Sequence, residues 1–190
     1  MAESEGFEPS EALADLNNLA GCPLKPLGQL SVTKYYMNYI EFLDLPAIPE
    51  NFIETLAAVD AKPARPQLRI HAGYKPIRIK DVSPELFSWL QSIFPFEIIA
   101  QYQLIELGLP MHKDRSRTIT YNYLLHSGGK CVSTVVYSDS VQVLQQEIIP
   151  LKQWHKIEVS YLHYVAKLEP GQVRMSISVV PQSAIIHWTM

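Results

Sequence analysis

Short apolar runs, most of them alternating with polar residues, follow one another through the second half of the chain. Val, Ile, Tyr and Thr are frequent in these runs, and Gly, Pro, Ser and Asp separate them, which is typical of β-strands joined by turns. The pattern predicts strands at 97–106, 117–125, 131–137, 140–148, 156–166, 172–180 and 183–189. Serial short strands favour a sandwich or barrel, so we expect residues 97–190 to form a jelly-roll core.

The first half of the chain has a different pattern, in which helical and extended segments are mixed. Leu86 and Leu90 are spaced as on one face of a helix, and Ser83 before them predicts its N-cap. Two further helices are predicted at 10–21 and 49–60, and a strand at 29–40. We expect one domain over residues 1–190, in which residues 1–96 support the core and their helices pack outside it.

His112 and Asp114 follow the first predicted strand of this core and are separated by one residue. Residues two apart in an extended segment point to the same face, so one metal ion can contact both side chains. His163, in the alternating run 156–166, is the candidate for a third ligand. Two histidines and one carboxylate on one face can hold ferrous iron and leave three coordination positions open.

The tetrapeptide at 169–172 places Pro170 and Gly171 at the central positions of a type II turn. If this turn closes a hairpin, His163 and Arg174 lie on the same face, about 13 Å apart at about 3.3 Å per residue. Side chains that lean toward each other over this distance leave room for a small dicarboxylate. Because a guanidinium can grip a carboxylate with two parallel hydrogen bonds, we expect the arginine to hold one end of it.

Each of these candidates also has a purely structural interpretation. His112 and Asp114 can be a loop pair, hydrogen-bonded to each other or to backbone. His163 can be a core histidine satisfied by backbone. His155 competes for the role of third ligand, although its position near the start of a strand favours the rim of the barrel. Arg174 can be solvent-exposed or ion-paired with a glutamate.

The spacing of these residues resembles that of the Fe(II)/2-oxoglutarate-dependent oxygenases. That family has a His-x-Asp motif, a distal His some tens of residues later and an Arg, often in Arg-x-Ser, about ten residues beyond it. Here His163 follows His112 by 51 residues, and Arg174 follows His163 by 11 and begins Arg-Met-Ser. The stretch 117–129 looks like the prolyl-hydroxylase-type and small phage or bacterial members. The sequence departs from the prolyl hydroxylases at 107–111, where Leu-Gly-Leu-Pro-Met replaces their tyrosine.

The resemblance covers roughly residues 97–180. It implies a double-stranded β-helix and a hydroxylase that uses Fe(II), 2-oxoglutarate and dioxygen. The implied metal ligands and catalytic residues are His112, Asp114 and His163. The implied contacts to 2-oxoglutarate are Arg174, Ser176, Asn122 and Tyr102, with Tyr123 as an alternative to Asn122. A cupin-type metalloenzyme without a 2-oxo acid, or a non-catalytic jelly-roll binding protein, would carry a similar pattern, and the pattern does not identify the substrate.

Composition and charge narrow the remaining possibilities. The net charge of −3 and the absence of a basic stripe do not predict nucleic-acid binding. The acidic N-terminus lacks the apolar core of a signal peptide, and no run approaches the ~20 apolar residues of a membrane span, so we expect a cytoplasmic protein. Cys22 and Cys131 lack the spacing of a zinc site, while a disulfide between them stays open.

Overall fold

The computed structural model describes residues 38–63, 73–107, 110–114 and 116–184. The strands in these ranges are β1 Ile40–Phe42, β2 Tyr74–Arg78, β3 Ile98–Ile105, β4 Ile119–Ser127, β5 Ser133–Tyr137, β6 Val143–Glu147, β7 Trp154–Glu158, β8 Leu162–Ala166 and β9 Arg174–Pro181. The α-helices are α1 Leu56–Asp60, α2 Ile79–Val82 and α3 Pro84–Ile93, and short 3-10 helices span Glu50–Phe52 and Gln182–Ala184.

The strands form two antiparallel sheets. The large sheet has the order β1-β7-β4-β9-β3-β2, and the small sheet has the order β6-β5-β8. An isolated bridge between His112 and His163 places residue 112 beside β8. From β3 onward the chain therefore passes repeatedly between the sheets, with β3, β4, β7 and β9 in the large sheet and residue 112, β5, β6 and β8 in the small one. This winding is a double-stranded β-helix, so the expected fold class, mainly β with flanking α, is confirmed.

The side chains of β3 alternate between an apolar core and a polar cavity. Tyr102 and Leu104 are buried in the main apolar core, together with Leu90 of α3. The alternate residues Gln101 and Gln103 line a cavity whose walls come from both sheets. Because successive side chains of a strand point to opposite faces, the large sheet packs against helices on one side and encloses a polar space on the other.

Most of the predicted strands are confirmed. Those at 97–106, 117–125, 131–137, 140–148 and 172–180 correspond to β3, β4, β5, β6 and β9, with ends shifted by up to three residues. The run 156–166 is two strands, since β7 ends at Glu158 and β8 begins at Leu162, where the chain crosses from the large sheet to the small one. Residues 183 and 184 belong to a 3-10 helix, and the rest of the strand predicted at 183–189 lies outside the described residues.

The helix predicted after Ser83 is confirmed as α3, although the Ser83 side chain makes no capping hydrogen bond. The helix predicted at 49–60 is interrupted, because the chain is extended at Thr55, which caps α1 by accepting a hydrogen bond from Ala58 N. The helix predicted at 10–21 lies outside the described residues, as does most of the strand predicted at 29–40. In the described part of the chain no helix is long and apolar enough to cross a membrane.

The turn at 169–172 is confirmed, but the hairpin built on it is wrong. The Gln172 N–H donates to the Glu169 carbonyl over 3.0 Å, and Gly171 has the positive φ of 74° that a type II turn requires. The strands on either side do not pair: β8 lies beside β5 in the small sheet, whereas β9 lies between β3 and β4 in the large one. The turn therefore joins the two sheets, and the expected register of His163 with Arg174 does not exist.

Gly128 offers a test of the packing around this connection. It has φ +78°, and a Cβ there would overlap the Leu168 side chain and lie 3.1 Å from the Arg174 backbone N. Gly128→Ala is therefore expected to lower the free energy of unfolding by roughly 2–4 kcal/mol, through backbone strain and overpacking. Gly171→Ala is the matched control, because its φ is +74° and no atom lies within 4 Å. Urea unfolding should show the larger loss at Gly128, and equal losses would contradict the close approach.

Candidate active site

The three predicted metal ligands lie close together where the segment after β3, which contains His112 and Asp114, runs beside β8. The His112 N–H donates to the His163 carbonyl over 3.1 Å, and the His163 N–H donates to the His112 carbonyl over 2.9 Å. The Asp114 N–H donates to the Val159 carbonyl over 2.9 Å, which fixes the backbone of Asp114 as well. A ligand atom from each of the three side chains lies within 4.8 Å of the others, with all three residues partly buried.

The two imidazoles are oriented by backbone carbonyls. His112 Nδ1 lies 2.8 Å from the Pro110 carbonyl, and His163 Nδ1 lies 2.9 Å from the Tyr161 carbonyl. Each contact favours the tautomer with its proton on Nδ1, which leaves the lone pair on Nε2 for a metal. Burial lowers the pKa of His163, and this effect outweighs the Tyr161 carbonyl, which raises it. The neutral imidazole that a metal requires is thereby favoured.

The carboxylate of Asp114 lies between one imidazole and one guanidinium. Its Oδ1 is 3.7 Å from His112 Nε2, and its Oδ2 accepts a hydrogen bond from Arg117 Nε at 2.5 Å. With Oδ2 held by the arginine, Oδ1 is the oxygen that faces the His112 imidazole. This arrangement orients the carboxylate toward the point where the three side chains converge, which is the role that outer contacts play at metal centres.

The three residues lie at one side of a cavity of about 430 Å³ enclosed by the two sheets. The cavity is lined by Tyr74, Gln101, Gln103, Ile105, His112, Asp114, Ser116, Arg117, Thr120, Asn122, Thr134, His155, Ile157, Val159, His163, Tyr164, Val165, Arg174 and Ser176. Despite the incorrect hairpin, Arg174 and His163 therefore face the same space, one from each sheet. A cavity lined by both polar groups and apolar side chains can hold a small polar molecule.

Arg174 is buried, with 5% of its surface exposed, so it is not a solvated strand residue, and no carboxylate among the described residues pairs with it. Its Nη2 donates to Thr134 Oγ1 over 3.3 Å, and its Nη1 has no hydrogen-bond partner among the described residues. Burial lowers the pKa of Arg174 to about 10, which leaves the group cationic at neutral pH. A buried cation with an unsatisfied donor is costly unless an anion meets it.

The other predicted contacts divide between the cavity and the core. Ser176 and Asn122 are buried in the cavity wall, and Asn122 Oδ1 has no partner in the described part of the chain. Tyr123 points to the opposite face of β4 and packs on Trp154, with ring centroids 5.0 Å apart. Tyr102 is also a core residue and does not line the cavity, so the structure does not place it where the predicted contact with the 2-oxo acid requires. It sits between two cavity-facing glutamines, and the strand period therefore turns it away.

Several cavity residues were missed or misplaced by the sequence analysis. His155 is buried rather than at the rim, with 1% of its surface exposed, and it lines the cavity on β7. Burial lowers the pKa of His155 to about 4, opposed by a contact with the Gln153 carbonyl. The alternation of Gln101 and Gln103 with apolar neighbours could have identified them. Tyr74 lies in another part of the chain, and no local signal placed it here.

The donor set fits a divalent metal ion with open coordination positions. Two imidazoles whose Nδ1 atoms are held by carbonyls, together with one oriented carboxylate, are groups that bind ferrous iron. Three protein ligands leave coordination positions open for substrate, whereas structural metal sites usually have four protein ligands. The unsatisfied guanidinium nitrogen across the cavity fits an anion. The arrangement can therefore hold a metal at one side and a carboxylate at the other.

No protein-family model matches the chain, and no curated protein sequence matches it. Among solved structures it is similar to an oxidoreductase of the 2OG-Fe(II) oxygenase family from Burkholderia pseudomallei, with a TM-score of 0.43 and 12% identity over 65% of this chain and 74% of that one. It is also similar to a prolyl hydroxylase from Trichoplax adhaerens in complex with a hypoxia inducible factor peptide fragment. That TM-score is 0.41, at 16% identity over 56% of this chain and 61% of that one.

An oxalate decarboxylase from Lactobacillus farciminis has a TM-score of 0.38 and 13% identity, over 58% of this chain. The present chain matches only 29% of the length of that enzyme. At these identities and TM-scores the comparisons identify neither a reaction nor a substrate for this protein.

Proposed function

We propose that this protein is an Fe(II)- and 2-oxoglutarate-dependent dioxygenase that hydroxylates its substrate. The observation that carries the proposal is the placement of His112, Asp114 and His163 at one side of a cavity in which Arg174 keeps an unsatisfied buried donor. A cupin-type metalloenzyme needs the three ligands but has no need for the buried arginine.

The iron and the far carboxylate of 2-oxoglutarate would be bound by different residues of the cavity. His112, Asp114 and His163 would hold the iron through two Nε2 atoms and one carboxylate oxygen. Arg174 would bind the far carboxylate of 2-oxoglutarate through paired hydrogen bonds, with Ser176 and Asn122 beside it. Thr134 already accepts one of the Arg174 N–H groups and would fix the direction of the guanidinium.

Iron with 2-oxoglutarate and dioxygen, when bound, supplies an oxidation that converts the 2-oxo acid to succinate and carbon dioxide and hydroxylates a C–H bond. The protein contributes position and exclusion of water. Ile157 and Val159 line the cavity and would limit the solvent around the reacting groups. Arg117 Nε donates to Oδ2 of Asp114, so this carboxylate would offer its other oxygen to the metal.

Anaerobic titration of the purified protein with Fe(II) and 2-oxoglutarate tests this function. A weak visible metal-to-ligand charge-transfer band is expected, because the 2-oxo acid chelates the metal through its keto and carboxylate oxygens. The band should disappear in His163→Ala and persist in His126→Ala, which replaces an exposed histidine of β4.

His155→Ala provides a second comparison, because His155 is the competing candidate for the third ligand. Loss of the band in His155→Ala and its survival in His163→Ala would show that the ligand assignment is wrong. Metal binding without any band would favour a cupin-type enzyme, and binding of neither ligand would favour a non-catalytic jelly roll.

A further inference from the structure

The hydroxyl of Tyr74 is held in a fixed orientation at the edge of the cavity. Gln101 Nε2 and Gln103 Nε2 each donate a hydrogen bond to it over 3.1 Å. Ser176 Oγ donates to Gln103 Oε1 over 3.5 Å, consistent with the amide NH₂ facing the tyrosine. With both acceptor positions of the phenol oxygen used, its own proton points away from the glutamines. Among the described residues no acceptor receives that proton, and the residue lines the cavity.

The backbone of Tyr74 lies in the same row of the large sheet as Arg174, since both residues pair with Ile105. The side chain of Tyr74 leaves this row, because its hydroxyl is bound by Gln103 and Gln101, two and four residues from Ile105 along β3. Burial is the main cause that raises its pKa, so the hydroxyl keeps its proton and remains a donor. The charged groups that act on it are Arg117, which lowers the pKa, and Asp114, which raises it. Both of these side chains are partly exposed, whereas Arg174 is buried. The phenol hydroxyl is thus directed away from the Arg174 row toward Gln101, in a cavity that Asp114 and Arg117 also line.

Arg117 adds positive charge to the same cavity. Its Nε is used by Asp114, and its two Nη groups have no partner within the described ranges. A guanidinium edge and a phenol O–H together offer several donors and no free acceptor. Such a pair is complementary to a carboxylate and would leave an amine or ammonium group unsatisfied.

We propose that Tyr74 and Arg117 bind a carboxylate of the molecule that is oxidised, so that the substrate is a carboxylic acid or carries a carboxylate side chain. The inference rests on the proposed function, since it assigns this donor pair to the substrate and Arg174 to 2-oxoglutarate. It adds a recognition point separate from the Arg174 guanidinium and restricts the substrate class. A molecule that the cavity of about 430 Å³ admits beside 2-oxoglutarate must be small or enter by one side chain.

The test uses the full-length protein with Zn(II) and 2-oxoglutarate, so that no turnover occurs. Dissociation constants are measured by ligand-observed NMR for pentanoate and for pentanamide, which has the same shape without the charge. Wild type should bind pentanoate at least about tenfold more tightly than pentanamide. Tyr74→Phe, which removes only the hydroxyl, should lose about tenfold for pentanoate and little for pentanamide. Tyr164→Phe is the matched control, since it removes a second cavity hydroxyl, one that accepts from Tyr137.

Two blocked tripeptides, Ala-Glu-Ala and Ala-Gln-Ala, distinguish a free acid from a protein side chain. Selective binding of the glutamate peptide with loss in Tyr74→Phe would assign a polypeptide substrate, and binding of pentanoate alone would assign a small acid. Equal affinity for acid and amide in wild type would overturn the proposal. So would an equal loss in Tyr164→Phe, or a loss of 2-oxoglutarate affinity in Tyr74→Phe with pentanoate unchanged, which would make Tyr74 a co-substrate contact.

The failure of the proposed function would look different. In that case wild type would show no metal-dependent binding of 2-oxoglutarate. The same pentanoate titrations on the metal-free protein would still report on Tyr74, because its hydrogen bonds to Gln101 and Gln103 involve no metal. A loss there in Tyr74→Phe but not in Tyr164→Phe would support an acid-binding site without oxygenase activity, and no difference between the two variants would overturn it.

Discussion

Asp114→Ala is expected to abolish Fe(II)- and 2-oxoglutarate-dependent formation of succinate. The substitution removes the only carboxylate of the proposed ligand set and leaves two imidazoles, which bind iron more weakly and cannot balance its charge. It also leaves Arg117 without the carboxylate that accepts its Nε hydrogen bond. Loss of a contact that only orients a ligand already costs about 10–100-fold, so we expect more than about 100-fold loss of turnover. Succinate release and iron content per protein measure the effect.

Asp139→Ala is the matched control for this experiment. Asp139 is an exposed aspartate that pairs with Lys113, the residue between the two ligands of the motif, at 2.5 Å. Its removal should leave turnover within about twofold, because exposed ion pairs contribute little. Near-UV circular dichroism separates a lost ligand from a lost fold. Retained iron-dependent succinate formation in a folded Asp114→Ala protein would exclude Asp114 as a ligand.

Arg174→Ala is expected to raise the 2-oxoglutarate concentration needed for half-maximal turnover by roughly 100-fold. Removing one partner of a buried, hydrogen-bonded charge pair typically costs 2–5 kcal/mol, and Arg174 is the buried guanidinium of the cavity with an unsatisfied nitrogen. Metal binding should be unchanged, since the arginine does not contact the three ligands. Arg174→Lys should recover part of the affinity, because it restores the charge without the planar pair of donors.

Arg78→Ala serves as the control for removal of an arginine, since this side chain is 43% exposed and lies outside the cavity. Thermal unfolding of Arg174→Ala should show no large loss of stability, because the variant removes an incompletely satisfied buried charge. An unchanged 2-oxoglutarate requirement in the folded Arg174→Ala protein would place the anion contact elsewhere. Iron loss in the same variant would indicate an indirect effect on the ligands.

The sequence pattern alone predicted those structural features that depend on residues close together in the chain. The period of two in β3 and β9 predicted those strands, and Pro170-Gly171 predicted the turn that the structure contains. The spacing of His112 and Asp114 predicted side chains on one face, because that relation depends only on an extended backbone.

The hairpin predicted around the 169–172 turn is wrong because β8 and β9, although neighbours in sequence, belong to different sheets. The prediction brought His163 and Arg174 together through a hairpin, whereas they meet across the cavity from opposite sheets. A turn type fixes the direction of only a few residues, and the pairing of the strands beyond it depends on which sheet buries each one. The same limit applies to the run 156–166, whose continuous β-pattern conceals a crossing between sheets at 159–161.

Tyr102 and Tyr74 illustrate the difference most directly. Tyr102 lies on the strand before His112, where the family resemblance implied a co-substrate contact. Its neighbours Gln101 and Gln103 occupy the cavity face of β3, and the period of two turns Tyr102 into the core. Tyr74 enters the cavity from β2 and pairs with Ile105 of β3, which lies 31 positions later in the chain.

The residue order of this protein thus fixes its strand periods, its turn at 169–172 and the two-residue step from His112 to Asp114, since these depend on bond geometry and on nearest neighbours. Folding brings His163 beside His112, places Arg174 across the cavity and introduces Tyr74, because each of these placements depends on hydrogen bonds and apolar contacts between segments far apart in the chain.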